Sequence, residues 1–488
     1  MPEHPAGRAD GSASSHAIRP AHSRRDGARG SRIRHRWSGR KRAACEDGSV
    51  SSPASETAEK RWLRARISAS LTDPVLNALV AAVAVSRIGR GVFLAVTVLF
   101  FTQIVGLSAG EAAIVLAVSS GCGVVASFLG GWLADRWSAR RLTFGFEALG
   151  GLLLAAYAFA GDFTSALLLA SLSGFFDSMG HSARSAIIAR GFAPERRVHA
   201  RAVLRTVTNL SIALGSAIGA IALALGTPEA YRAVIAVAGL LCAVGSLPLL
   251  RLTADVDAPA RTRLGPQVTE TGSIDTAAAA TALAERKDWA QRSPWRDPQY
   301  LALTALTGIF AMQFGVFELG VPLWITRETT APEVMVAVLL IVNTVLVVMF
   351  QVRASRGTHD VRTAGRVTLI AGGLIVIACL VYALAAGLPV WAAIVLLLIA
   401  TIAYTFAEIL SQAGGWGLSF ELADAKRAGA YQGVFGMGFS LGALAAPLVV
   451  NATAITYGFF GWVVLAAIFL AAASGTWLIA RRAAAVSA

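Results

Sequence analysis

Charge, cysteine and histidine are all scarce in this chain, and each shortage removes a class of function. Only 15% of the 488 residues are charged against 55% hydrophobic, and the mean hydropathy is +0.61. The average position prefers hydrocarbon to water, which argues against a soluble globular enzyme. The four cysteines, Cys45, Cys122, Cys242 and Cys379, stand far apart without a CxxC pair, so neither a disulfide framework nor a thiolate metal site is indicated. Of the seven histidines only His181 falls near an apolar run, and no HExxH motif occurs to equip a membrane metalloenzyme. No Gly-Lys pair exists for a phosphate loop, which removes ATP-driven transport. No catalytic residue, metal or cofactor is expected.

The net charge of +14 is largely local. Of the 43 basic residues, 15 precede Asp73, in a stretch rich in Arg, Ser, Gly and Pro; from Asp73 onward 28 basic residues face 22 acidic ones. That balance is too even for a nucleic-acid surface. Residues 1–70 hold too little apolar surface to offset the entropy of ordering and read as a disordered basic cytoplasmic tail. An anchor to anionic lipid through Arg61, Arg64 and Arg66 beside Trp62 is the alternative.

From Leu76 onward, apolar runs of about 16 to 26 residues recur with short polar breaks, the length at which a helix crosses a bilayer core. Twelve are counted. They run Leu76 to Phe101, Ala112 to Leu133, Leu142 to Phe159, Thr164 to Ile187, Val203 to Leu225, Val234 to Leu249, Tyr300 to Ile325, Val334 to Val352, Val367 to Leu384, Val390 to Leu410, Ala430 to Val450 and Phe459 to Ile479. The even-numbered breaks and the C-terminal tail carry 22 basic residues, whereas the odd-numbered breaks carry only Arg232 and Arg327. Because cytoplasmic loops retain Arg and Lys, both termini are expected in the cytoplasm. The expected organisation is a six-helix bundle over 71–250, a cytoplasmic linker over 251–299, a second bundle over 300–482, and a tail over 483–488. Within the linker, SIDTAAAATALAERKDWA has helical composition.

The two bundles look duplicated. Gly91, Val92, Phe93, Leu99 and Thr102 match Gly315, Val316, Phe317, Leu323 and Thr326 at a spacing of 224; Asp135, Ala139, Arg141 and Thr143 match Asp360, Ala364, Arg366 and Thr368 at 225; Gly215 matches Gly442 at 227. With six helices per repeat, each enters from the same side, so the repeats are parallel and related by an axis along the membrane normal.

After the second run the chain reads GGWLADRWSARR. This resembles the loop signature of the major facilitator superfamily, carried here by Gly131, Leu133, Ala134, Asp135, Arg136, Arg140 and Arg141, with Ser138 and Ala139 in place of the family's glycine and arginine. Gly131 permits close helix approach, Asp135 can cap a helix or pair with an arginine across the bundles, and the arginines hold the loop inside. The resemblance implies a conformational latch at Gly131, Asp135, Arg136, Arg140 and Arg141. FELGVPLW in the seventh run and KRAGAYQGVFGMGFSLGALAAPLV in the eleventh are also similar to this superfamily, the latter to its drug exporters. Gly215, Gly219, Gly438 and Gly442 read as helix-packing glycines. The chain departs from the exporters in two places: GSAIGA at 215–220 lacks the antiporter motif's proline, and the fourth helix's R-x-x-Q-G arginine falls on Phe176.

An ionisable side chain at mid-bilayer costs about 2.5–3.5 kcal/mol on insertion scales and marks a candidate site. Arg87 and Arg90 lie in the first run, Asp177 in the fourth, Glu318 in the seventh and Glu408 in the tenth, the helices that line the superfamily's cavity; Glu147 lies in the third. Arg87 and Arg90 lie about a turn apart on one face, and Arg90 first, with Arg87 second, is expected to meet Asp177; snorkelling of both to the inner headgroups is the alternative. Glu408 is close enough to the cytoplasmic end to meet Lys426 or Arg427 instead of the cavity. Asp177 and Glu318 are the proton-coupling candidates; Arg87, Arg90, Glu408, Asn343, Tyr404 and Gln432 are the substrate-cavity candidates. The expected fold is all-α and membrane-integral: twelve transmembrane helices in two parallel six-helix repeats. The resemblance implies a monomeric secondary transporter, in a plasma membrane of the bacterial inner-membrane type, whose partners are protons, lipid and a small-molecule substrate. It would export an amphipathic, cationic or neutral compound by proton antiport. Uniport or import of a polar metabolite stays open, as does, in a different class, a non-transporting membrane sensor or scaffold.

Overall fold

A helix leaves its first amides without partners, and in this chain short polar side chains repeatedly supply them. The computed structural model describes residues 73–225, 227–257 and 293–486; the tail over 1–70 and the linker stretch 273–290 lie outside the described residues. The first bundle comprises α1 (Pro74–Leu99, prolonged by a π turn at Phe100–Ile104), α2 (Ala109–Ala134), α3 (Ala139–Ala156), α4 (Phe163–Gly191), α5 (Pro194–Leu225) and α6 (Pro228–Gly245). The second comprises α7 (Pro298–Ala311 and Gln313–Gly315, then a π turn at Val316–Gly320 and a last stretch Val321–Glu328), α8 (Val334–Ala354), α9 (Val361–Leu384), α10 (Val390–Glu421), α11 (Ala428–Val450) and α12 (Thr456–Val486). Among the described residues there is no strand. Asp73, with Pro74 after it, accepts from the amides of Val75 and Leu76 to start α1; Ser108 and Glu111 cap α2 reciprocally; Asp297 and Asp360 start α7 and α9.

Ten stretches are apolar and long enough to cross a membrane by length and composition. The last of them, Ala425–Ala485, contains both α11 and α12. Helix α4, which carries Asp177, Arg184 and Arg190, is not among the ten. The outward faces of the bundles are apolar: Leu168, Leu240, Ile341, Ile377 and Trp391 are all exposed, as a hydrocarbon solvent permits and water does not.

Two helices overrun their apolar sequence. α5 begins at Pro194 instead of Val203 and α10 ends at Glu421 instead of Leu410, each reaching 32 residues. Hydropathy marks only the part of a helix that is apolar throughout. The added turns of α5 are amphipathic and rest on α10, whose own added turns carry glycines that seat them on α9 and the segment before it: Gly414 lies against Thr368 and the carbonyl of Ala364, and Gly417 against the carbonyl of Thr358.

Packing is the same in both bundles. α1 packs on α5 and α6 as α7 packs on α11 and α12; α4 packs between α2 and α3 as α10 packs between α8 and α9; α3 meets α6 as α9 meets α12. Matched residues make matched contacts. The Thr143 hydroxyl donates to the carbonyl of Ala139 at 2.7 Å and that of Thr368 to Ala364 at 2.9 Å. Gly215 sits on the carbonyl of Ile88 in α1 while Gly442 sits on that of Gly308 in α7, and Gly219 and Gly438 extend the two contacts to Val92 and Thr304.

These glycines set interhelical distance, because a Cβ at Gly442 would stand 2.0 Å from the Gly308 oxygen. Gly442→Ala is therefore expected to lower stability by about 1–3 kcal/mol, the usual cost of overpacking. Gly373→Ala, with open space at its Cβ, should leave the thermal unfolding midpoint unchanged or slightly raised. Parallel melts of the two variants in detergent check both.

Candidate functional site

Helix α11 starts at Ala428 with Arg427 before it and no side chain of its own to cap it. Its free amides are instead taken by Asp135, at the end of α2 in the other bundle: Oδ1 accepts from Gly429 and Oδ2 from Ala430, both at 2.7 Å. An acid placed on the second and third amides of a helix gains both the cap and the positive end of the helix dipole. Arg190 of α4 pairs with the same carboxylate and donates to the Ala134 carbonyl at 3.0 Å. The arginine partner of Asp135 thus comes from its own bundle, and backbone amides make the crossing. Burial pushes the Asp135 carboxyl above its ordinary value, opposed by Arg190 and the two amides. Gly131 makes the approach possible, since a Cβ there would lie 2.0 Å from the Gly429 oxygen.

The rest of the loop signature turns toward the linker. Asp257, at the linker's start, accepts from the Ser138 hydroxyl at 2.8 Å and forms an ion pair with Arg140 at 3.2 Å, and Arg140 also donates to the Leu252 carbonyl at 2.8 Å. Arg136 lies over the Trp132 ring at 3.4 Å, and Arg141 is exposed.

Away from this closed end, a cavity of about 330 Å³ opens between the bundles. The first bundle contributes Arg87 from α1, Asp177, His181 and Arg184 from α4, and Arg201 and Arg205 from α5. Facing them are Gln351 of α8, Gln412 and Trp416 of α10, and Phe439 of α11. Asp177 lies 3.6 Å from Arg87 and 4.0 Å from Arg90, the closer partner being the one nearer the helix start. Arg184 is held by Glu147 of α3, with Nε 3.0 Å from Oε1. At the position of Phe176 the α4 ring packs on Phe146 and Phe175, and the cation comes from α1.

One face of α5 carries Arg197, Arg201 and Arg205, spaced four apart, toward the antiparallel α10. Arg197 meets Glu421 at 3.5 Å, Arg201 lies over the Trp416 ring at 3.8 Å, and Arg205 pairs with Glu408. Glu408 therefore does not meet Lys426 or Arg427 as a helix-end residue would; it is 4% exposed, and its second oxygen accepts from Asn343 at 2.9 Å. Both residues stand behind the cavity wall.

Several expected cavity residues are structural in this arrangement. The Tyr404 hydroxyl donates to the Gln313 carbonyl at 3.2 Å and its ring stacks on Phe317 at 4.6 Å, while Gln432 donates to the Ser419 carbonyl at 2.9 Å. Arg90 sits behind Asp177 in a small side pocket with Cys242. Glu318 is exposed in a separate cavity of about 160 Å³ between α7 and α8, among Phe317, Val321 and Leu339. Arg184, Arg201 and Arg205 escape a sequence reading because they lie near the ends of apolar runs, where arginines are assigned to loops. The signal that finds them is the four-residue spacing of Arg197, Arg201 and Arg205 ahead of an apolar stretch.

Two like bundles around a cavity lined by charged and aromatic side chains, joined at one end by a cross-bundle cap, define a carrier and not an enzyme. The family profile of the Major Facilitator Superfamily matches residues 79–447, and the chain belongs to that family. No curated protein matches it in sequence. Its fold is similar to the crystal structure of the human organic anion transporter MFSD10 (TETRAN), at a TM-score of 0.60 and 15% identity over 83% of this chain and 99% of that one. It is also similar to a bacterial homologue of the iron transporter ferroportin in an outward-facing state, at a TM-score of 0.61 and 15% identity over 84% and 98%.

Removing one member of a buried ion pair strands the other. Arg205→Met and Glu408→Leu are each expected to destabilise the protein by about 3–5 kcal/mol, whereas the double variant Arg205→Met/Glu408→Leu should melt close to the parent. Thermal unfolding of all three closes the cycle, and additive single effects would remove the pair from this account.

Proposed function

We propose that the chain is a proton-coupled secondary transporter that moves an amphipathic compound by alternating access of its two bundles around the central cavity. The observation that carries this reading is Asp177, a carboxylate in the cavity wall whose partners, Arg87 and Arg90, come from the neighbouring helix. A proton arriving on Asp177 cancels the charge that holds both arginines, so protonation alters the cavity's contents and the ionic link between α1 and α4 together. Glu318, open to the apolar cavity between α7 and α8, is the second proton candidate.

The arginine-rich loops put the Asp135 end in the cytoplasm. The arrangement is then the one closed to the cytoplasm, held by the Asp135 cap on α11 and by the Arg197–Glu421 and Arg205–Glu408 pairs. Opening inward breaks these contacts and rebuilds others on the far side. A membrane potential supplies about 2.3 kcal/mol per charge per 100 mV, enough to drive a steep gradient. The plasma membrane is the proposed location and the monomer the working unit, because each chain encloses its own cavity. Export in exchange for protons is the leading sense of coupling, as in the drug exporters that the eleventh helix resembles. Uptake together with a proton is the second, favoured by the excess of arginine around Asp177.

Proteoliposomes with a pH dye inside separate these senses. A transported compound added outside should turn the lumen alkaline in exchange and acid in cotransport. Asp177→Asn is expected to abolish the pH change while compound binding persists; Glu318→Gln locates the proton there if it alone does so. Carriage of compounds with no pH change in the parent protein sinks proton coupling and leaves uniport.

A further inference from the structure

The charges around the cavity do not balance. Five arginines, Arg87, Arg90, Arg184, Arg201 and Arg205, meet three carboxylates, Asp177, Glu147 and Glu408. The imbalance has an address. Along the α5–α10 seam, Arg197 and Arg205 each find a glutamate, Glu421 and Glu408. Between them Arg201 finds Trp416 and the open cavity. No carboxylate among the described residues lies within ion-pair reach of Arg201; its hydrogen-bond partner is His181 Nε2, at 2.8 Å. A guanidinium only donates, so His181 accepts and is neutral, which leaves the arginine's charge uncancelled. A cation kept in a low-dielectric site without a counter-ion is costly, and the missing partner belongs to whatever fills the cavity.

We infer that the cargo is an organic anion, a carboxylate or sulfonate joined to a flat apolar body, whose acid group completes the α5–α10 ladder at Arg201. The inference rests on the transport reading and on neither sense of coupling, and it replaces the cationic or neutral compound expected from the sequence. Arg201 lies over the Trp416 ring at 3.8 Å, which holds its fork and leaves edge nitrogens to grip an acid group bidentately. One further donor faces this end of the cavity: Arg205 Nε is buried without a hydrogen-bond partner. Trp416 and Phe439 supply the aromatic wall for the body, and about 330 Å³ suits a small drug-sized molecule. An anion beside Asp177 also favours a proton on it, so this cargo tips the coupling toward joint movement.

The test uses three permanently matched probes on the protein in lipid nanodiscs: naphthalene-2-sulfonate, its uncharged sulfonamide, and the naphthyl trimethylammonium cation, with binding measured by calorimetry. The sulfonate should bind about tenfold or more tighter than the other two, since one charge-assisted hydrogen-bonded pair is worth that much or more. Arg201→Gln should weaken the sulfonate by about 10–100-fold and leave the sulfonamide unchanged. If Arg201→Gln does not fold, Arg201→Lys keeps the charge and loses the fork, and should retain the preference for the sulfonate at reduced affinity. Equal binding of the three probes, preference for the cation, no binding of any, or an unchanged sulfonate affinity in both variants overturns the inference. Flux of the same probes into proteoliposomes separates the two readings. Selective sulfonate binding with no carriage leaves the anion site standing and defeats transport, and carriage of the cation alone does the reverse.

Discussion

A helix that begins without a cap must borrow one, and in this protein α11 borrows from the other bundle. The amides of Gly429 and Ala430 have Asp135 as their acceptor, and Asp135 in turn is fixed by Arg190. The arrangement makes the closure of one end of the cavity a matter of backbone hydrogen bonding instead of side-chain fit. It also explains why glycine stands at both 131 and 429. Each Cβ would meet the other residue's carbonyl oxygen, at 2.0 and 2.3 Å, so any larger residue would hold the bundles apart and leave the cap unmade. Separating the bundles would strand both amides at once and leave Asp135 with Arg190 alone, so the contact is made or lost as a unit and not by degrees.

The second constraint is the cost of arginine inside a membrane. The chain meets it by pairing across elements: Arg184 with Glu147 joins α4 to α3, Arg87 with Asp177 joins α1 to α4, and Arg205 with Glu408 joins the bundles. Each pair ties a helix down as it neutralises a charge, so the wall of the cavity and its electrostatics are the same set of residues. Arg201 is the exception, and its place between two satisfied rungs of one ladder marks it as a position shaped around something else.

Duplication fixed the scaffold and left the chemistry free to diverge. Thr143 and Thr368 keep identical back-bonds, and Gly215 and Gly442 keep equivalent seats, because helix spacing admits few solutions. Asp135 and Asp360 match in sequence yet differ in task. Asp360 caps its own helix through the amide of Thr363, while Asp135 reaches α11. Charged residues follow no such symmetry: the arginines of the cavity come from the first bundle, and the second offers amides and aromatic rings.

Much of this was legible in order along the chain. Apolar length, loop arginines and the 224-to-227 spacing of matched residues are local or periodic signals, and they specify helices, the break between bundles and the packing glycines. The signature around Asp135 offered, for the same reason, a helix cap or a cross-bundle pair without naming its partner. Tertiary structure alone decided what the charges do. Arg201 and Arg205 read as loop and helix-end residues until α5 is seen to start at Pro194 and lie along α10, and Glu408 reads as a helix-end acid until α10 is seen to run on to Glu421. The amides that Asp135 caps lie 294 and 295 residues away, beyond any pattern in sequence. Hydropathy is a sum over neighbours in the chain, whereas the net charge of a cavity is a sum over neighbours in space, and only the fold converts one into the other.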